Sequence, residues 1–272
     1  MKTYAYVLAL FAVAFLASCS TPRYAYSPDA HNVPVLTQKG DGKVGMSYST
    51  NPSGREAEGD EDREDRSRGF DIQGAYAISD NWAIQASHAR RWERTKGGSD
   101  SATVKYERNL TELGVGYYFP LTSRKTAFFQ LFGGVGWGKF NFTDASIYGN
   151  YYHNANVLKI YLQPAMLFRS KGSFSTSIAI RGSVIDFNAV KTNYSHGQLE
   201  DYNLDSLGSK ALFFMEPGFV SSFGFKNVPG LRIEFQGGLS ALLAKRDLDF
   251  RVANFSIGTY LDFGSLIRSS KK

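Results

Sequence analysis

The sequence predicts an all-β chain: a closed, antiparallel, up-and-down transmembrane barrel of ten strands. Three observations predict it. Apolar and polar residues alternate with a period of two over long segments, as strands with two unlike faces require. Leu231, Ile233, Phe235, Gly237 and Leu239, for example, interleave with Arg232, Glu234, Gln236, Gly238 and Ser240. The segments are joined by connections that are short and long in near alternation. Beyond residue 18, no stretch reaches the roughly 20 apolar residues of a membrane-spanning helix. A chain that crosses a bilayer without one must satisfy its backbone hydrogen bonds strand to strand.

The strands follow in order at 43–50, 69–78, 82–92, 101–119, 126–143, 155–169, 173–189, 209–225, 231–246 and 250–263. The sixth alternates Leu158, Ile160, Leu162, Pro164, Met166 and Phe168 with Lys159, Tyr161, Gln163 and Ala165, and the seventh sets Phe174, Ile178, Ile180 and Val184 against Ser175, Ser177, Arg181 and Ser183. Short joints fall at 79–81, 120–125, 170–172 and 226–230, and long ones at 51–68, 93–100, 144–154 and 191–208; the joint at 247–249 breaks the rhythm by being short. Long loops on one rim and tight turns on the other match bacterial outer-membrane barrels, whose short turns face the periplasm. An even strand count puts both ends on the short-turn side. Eight strands remain open if the first or ninth region pairs differently.

The N-terminal segment reads as an export signal, with basic Lys2, an apolar stretch over 4–15 and small residues at the cut. Leu16-Ala17-Ser18-Cys19 resembles the lipobox of bacterial lipoproteins, which implies that Cys19 becomes the acylated first residue. The expected organisation is signal peptide 1–18, lipid-anchored arm 19–42, barrel 43–264 and tail 265–272. Cys19 is the single cysteine, so no disulfide forms within the chain. Ser20-Thr21-Pro22-Arg23 has no aspartate after the cysteine. By resemblance to lipoprotein sorting rules this implies the outer membrane, with the anchor facing the periplasm. The segment 26–34 resembles the start of small barrel lipoproteins of Bacteroidota, a class that implies architecture and supplies no activity.

Periodicity does not decide which face is outside, since a soluble periplasmic barrel carrying a hydrophobic ligand would turn the apolar face inward. Aromatics gather near the short turns, at Trp82, Tyr117, Phe119, Phe129, Phe168, Phe174, Phe223, Phe225 and Phe263, as in an interfacial girdle. The opposite face carries Arg91, Glu112, Lys159, Arg181, Glu216, Arg232 and Glu234, and also Asp71 and Asp262. The expectation is a lipid-facing apolar wall around a narrow lumen packed with paired charges. The alternative is a small, weakly selective water-lined pathway. Wide channels need about 16 strands, so a general porin is not expected.

The last strand carries a polar residue, Ser256, a glycine two later, Gly258, and then apolar residues at alternating positions, Leu261 and the aromatic Phe263, resembling the assembly signal of outer-membrane barrels. This implies recognition by the barrel assembly machinery. It departs from the usual pattern in that nine residues, 264–272, follow the aromatic.

Little else carries chemistry. Net charge is +6, or +5 without Lys2, and no basic stripe with stacking aromatics suggests nucleic acid. The histidines His31, His88, His153 and His196 are scattered without metal-ligand spacing. The acidic loop Glu56, Glu58, Asp60, Glu61, Asp62, Glu64 and Asp65 is interrupted by arginines and lacks a calcium-loop spacing. No cofactor or catalytic set is expected. The expected role is structural, partner-docking through the outer loops, or passage of a small solute, with outer-membrane lipid as partner. A rim hydrolase acting on lipid A or peptide, using His196, is the alternative from a different class.

Overall fold

The computed structural model describes residues 21–52, 64–97, 102–147, 149–170, 174–225, 227–243 and 247–264. Cys19, the signal peptide, most of the acidic loop and the tail from 265 lie outside the described residues.

Ten long strands close a barrel: β1 (Gly42–Thr50), β2 (Glu64–Ala77), β3 (Trp82–Gly97), β4 (Ala102–Pro120), β5 (Ala127–Ser146), β6 (Gly149–Arg169), β7 (Phe174–Thr192), β8 (Leu212–Gly224), β9 (Leu231–Leu239) and β11 (Ala253–Asp262). Each pairs antiparallel with its neighbours in sequence, and β1 pairs with β11 from Lys43↔Asp262 to Thr50↔Phe255, which closes the ring. The two-residue β10 (Ala241–Leu242) pairs with β8 at Met215 and Phe214. Ten strands are thus observed, and the eight-strand alternative is set aside.

Several boundaries differ from the sequence reading. Strands β2 and β3 run together as far as Glu64↔Lys96, because the charged residues there continue the two-face alternation beyond the apolar stretch. The expected long joint at 144–154 is a tight hairpin, since Asn150, Tyr152 and Asn154 pair with Ala145, Thr143 and Asn141. The ninth strand ends at Leu239 rather than near 246.

The bulky apolar face points outward. Met46, Ile72, Ile84, Leu113, Val135, Ile160, Leu162, Ile178, Phe219 and Ile257 are all exposed on the outer wall. On β6 the outward apolar row spans Leu158 to Phe168. Ten steps of about 3.4 Å cover ~34 Å of strand, or about 25 Å of membrane normal at the usual tilt. Aromatics line the short-turn end of this band, with Trp82 and Tyr117 edge to face at 5.3 Å, Phe119 and Phe129 at 5.5 Å, and Phe174 and Phe223 at 4.9 Å.

Candidate functional site: the plugged lumen

The lumen is filled by the chain's own N-terminal arm. Residues 21–36 run lengthwise through the barrel, and their contacts descend the wall in order. At the long-loop rim, Thr21 Oγ1 donates to the Gly97 carbonyl at the end of β3, and Arg23 forms an ion pair with Asp144 near the end of β5. Tyr24 N donates to Tyr106 Oη (3.1 Å), Ser27 Oγ donates to Glu93 (2.8 Å), and Asp29 lies 3.4 Å from Arg91. Lower down, Gln73 and Gln163 donate to the carbonyls of Ala30 (3.0 Å) and Asn32 (2.9 Å), and Gln130 donates to that of Pro34 (2.7 Å). Leu36 ends in an apolar cluster with Ala77, Ala83, Tyr118, Phe128 and Leu167 at the short-turn rim.

Irregular backbone at membrane depth must find its hydrogen bonds within the protein. The inward glutamines supply them, because an amide side chain can serve a peptide carbonyl that no neighbouring strand reaches. Near the upper mouth, Ala25 N donates to Asp249 O and Arg251 N to Tyr26 O, both at 2.8 Å, so the arm forms a short parallel bridge with the segment leading into β11.

Charges occupy the middle of the lumen. Lys159 lies 3.2 Å from Glu112 and 3.7 Å from Glu216, and Arg181 lies 3.3 Å from Glu112. Arg91 grips Asp71 with one guanidinium nitrogen 2.8 and 2.9 Å from the two carboxylate oxygens. Glu234 is bound by Lys43 at 2.8 Å, a partner absent from the expected pairs, while Arg232 donates to Ser222 Oγ (2.6 Å) and Ser175 Oγ (3.0 Å). The expected charges Arg91, Glu112, Lys159, Arg181, Glu216, Arg232 and Glu234 therefore all face inward. Only Lys159 and Arg181 with Glu112 and Glu216 meet as one cluster.

An aromatic layer caps this cluster. Tyr24, Tyr26, Tyr106, Phe140, Phe142, Phe187, Phe214 and Tyr194 pack with Leu204, Leu207 and Leu212. The last loop residues arrive there because 193–211 folds back over the mouth through a short helix, α1 (His196–Asp201), started by a reciprocal Ser195–Gln198 capping box. Tyr194 donates to Asp144, and burial together with that carboxylate pushes the phenol well above its ordinary pKa. The Arg23 guanidinium lies 3.9 Å over the Tyr202 ring.

The sequence reading placed the N-terminus at the short-turn rim. That is corrected: β1 does begin there, but the arm before it returns through the lumen, and Thr21 stands at the opposite rim. Arg108, Arg251, Glu93 and Asp144 were missed as luminal charges, and so was the whole arm. The signal was present in the inward amides Gln73, Gln85, Gln130, Gln163 and Gln236, a set that a lumen closed by ion pairs alone would not need.

The histidines do not converge. His31 is buried on the arm. His88 faces the outer wall, its Nδ1 2.9 Å from Thr111 Oγ1. His153 stacks on Phe142, and His196 pairs with Glu200 on exposed α1. Among the described residues no group of His, Cys, Asp and Glu could hold a metal ion. Asp65, the described end of the acidic loop, is paired with Arg251 at 2.7 Å. Ser256 and Asp262 point inward on β11, while Leu261 and Phe263 are exposed on the outer wall.

No curated protein matches the chain. Among solved structures, the translocator domain of autotransporter NalP from Neisseria meningitidis is similar at 12% identity and TM-score 0.49, covering 85% of this chain and 90% of that one. The outer membrane protease OmpT from Escherichia coli is similar at 10% identity and TM-score 0.43, covering 85% and 99%. The transport unit of the autotransporter AIDA-I from Escherichia coli gives 9% identity and TM-score 0.43, covering 93% and 96%. Residues 11–178 match the outer membrane protein β-barrel domain. With that match over more than half its length, and with its ten-stranded closed barrel, the chain belongs to the outer membrane protein β-barrel domain family.

Proposed function

We propose that this chain is a lipid-anchored, self-plugged barrel that acts through its outer rim and loops, docking a partner there, and not as an open pathway. The single observation that carries this is the course of residues 21–36 through the lumen, with an aromatic layer at one end and the Leu36 cluster at the other. A filled lumen leaves the rim and wall as the working surfaces. The proposal contains no catalytic step.

The anchor rests on Leu16-Ala17-Ser18-Cys19, and assembly by the barrel machinery rests on Ser256, Gly258, Leu261 and Phe263. The arm's course changes the side from which an acyl chain would act. Thr21, where the described arm starts, stands at the long-loop rim, which favours the outer-leaflet side for a lipid carried ahead of it.

The test uses the full chain and a variant lacking residues 21–36 but keeping Cys19, each in planar bilayers. A silent full chain and discrete conductance from the deletion are expected. Steady conductance from the full chain would replace the proposal with a solute pathway. Palmitate labelling that persists in Cys19→Ala would remove the anchor.

A further inference from the structure

We propose that the outward wall of β2–β5, just above the apolar band, binds the phosphorylated headgroup of an outer-leaflet glycolipid. The strand register builds the site. Arg66 lies directly opposite Arg94, and Arg94 directly opposite Lys105. One row lower, Arg68 stands opposite Trp92, and Trp92 opposite Glu107. Below that, Phe70, Arg90, Asn109 and Lys139 form the next row. These three rows hold six cations and one acid, Glu107, which pairs with Arg90. All are outward-facing by the alternation of their strands.

Like charges directly opposite one another on a sheet face are destabilising. Here they occur in consecutive pairs across three strands, at one level and on one side of the barrel. The same rows continue around the wall as uncharged Thr143, Tyr152, Asn154, Asn156 and Asn188, with a single further cation, Lys191, opposite Asn154. The concentration on β2–β5 therefore marks a sector of the wall, where a general headgroup preference would ring the barrel.

The level identifies the occupant. Immediately beneath the cations lies a row of Ile72, His88, Thr111 and Trp137, in which His88 and Thr111 hydrogen-bond to each other, and below that row the wall is apolar at Leu113, Val135 and Ile84. A ligand that fits carries phosphates at the cations and acyl chains below them. Arginine forks pair with phosphate bidentately and lysine adds a point charge. A cleft of about 710 Å³ bordered by Arg66, Arg68, Trp92, Arg94, Lys105 and Glu107 gives the headgroup room, and the two further acids on its lining, Asp65 and Glu93, are both paired with Arg251.

This inference rests on the orientation that turns the long-loop rim outward, but its test does not. The full chain in neutral detergent is titrated with bis-phosphorylated lipid A, with the same lipid after phosphate removal, and with inorganic phosphate. Native mass and the temperature at which the compact gel form is lost are read. Lipid A is expected to bind and raise that temperature. Phosphate removal, or the combined Arg68→Gln, Arg94→Gln and Lys105→Gln variant, should weaken binding about tenfold or more. Without lipid, the variant should unfold at the same or a higher temperature, because the opposed charges are gone. If the triple variant lacks the compact form, Lys105→Gln alone carries the test with a loss of about threefold or more. Equal binding by variant and wild type, equal binding of the dephosphorylated lipid, or saturation of the effect by inorganic phosphate would each overturn the proposal.

Discussion

Tyr26 on the luminal arm donates its phenolic hydrogen to Glu216 Oε1 on β8 across 2.6 Å, while its ring packs 4.3 Å from Phe214. The same carboxylate lies 3.7 Å from Lys159, so plug and wall share one charge cluster. Tyr26→Phe keeps the ring and leaves Glu216 one donor short. A loss of about 1–3 kcal/mol is expected from denaturant unfolding in detergent, with the lumen still closed in bilayer recordings.

Glu112 answers both Lys159 and Arg181. Glu112→Ala leaves two buried cations with one acid less between them, and about 3–5 kcal/mol of stability should be lost. The unfolding midpoint in urea checks this. A midpoint unchanged within error would mean the cluster is hydrated and contributes little.

Gly134 faces the lumen with no room for a side chain. A Cβ there would stand 2.2 Å from the Leu113 carbonyl and 2.7 Å from Tyr161 Oη. Gly134→Val is expected to destabilise by at least about 1–3 kcal/mol through overpacking. A lower yield of heat-modifiable barrel is the measurement, with Gly182→Val as control, since nothing stands within 4 Å of its Cβ.

Leu162 sits beside the middle of the outward apolar row of β6. Leu162→Arg should cost about 2–4 kcal/mol in a bilayer and much less in a short-chain detergent that follows the charge. Equal effects in both media would place this wall in water.

The barrel was legible because its two faces differ in every strand. On β6 and β7 Leu, Ile, Met and Phe dominate the outward positions at membrane depth while Lys, Gln, Ser and Arg stand among the inward ones, so the period and the two unlike faces follow from local pattern, and the aromatics near the short turns pointed to the outer face. The pairing of Glu112 with Lys159 and Arg181 was also within reach, since three inward charges at mid-strand need one another. The arm was not. Residues 21–36 have no period, and their carbonyls are bonded mainly by side chains 23 or more positions away, such as Asn51, Gln73, Gln130 and Gln163. Lys43 with Glu234 escaped for the same reason, its partners meeting only once β11 closes the ring.

The pairing of β1 with β11 has a topological consequence. Residues 21–36 are covalently continuous with β1, and β1 is locked between β2 and β11. The arm is therefore a cord inside a closed hoop, joined to the hoop's own wall at its β1 end. It cannot leave sideways, and withdrawing it lengthwise breaks contacts at every level from Leu36 to Thr21. Escape must either undo that whole ladder or open the hoop at its seam, so the bolted form should persist by its rate of release as well as by its free energy.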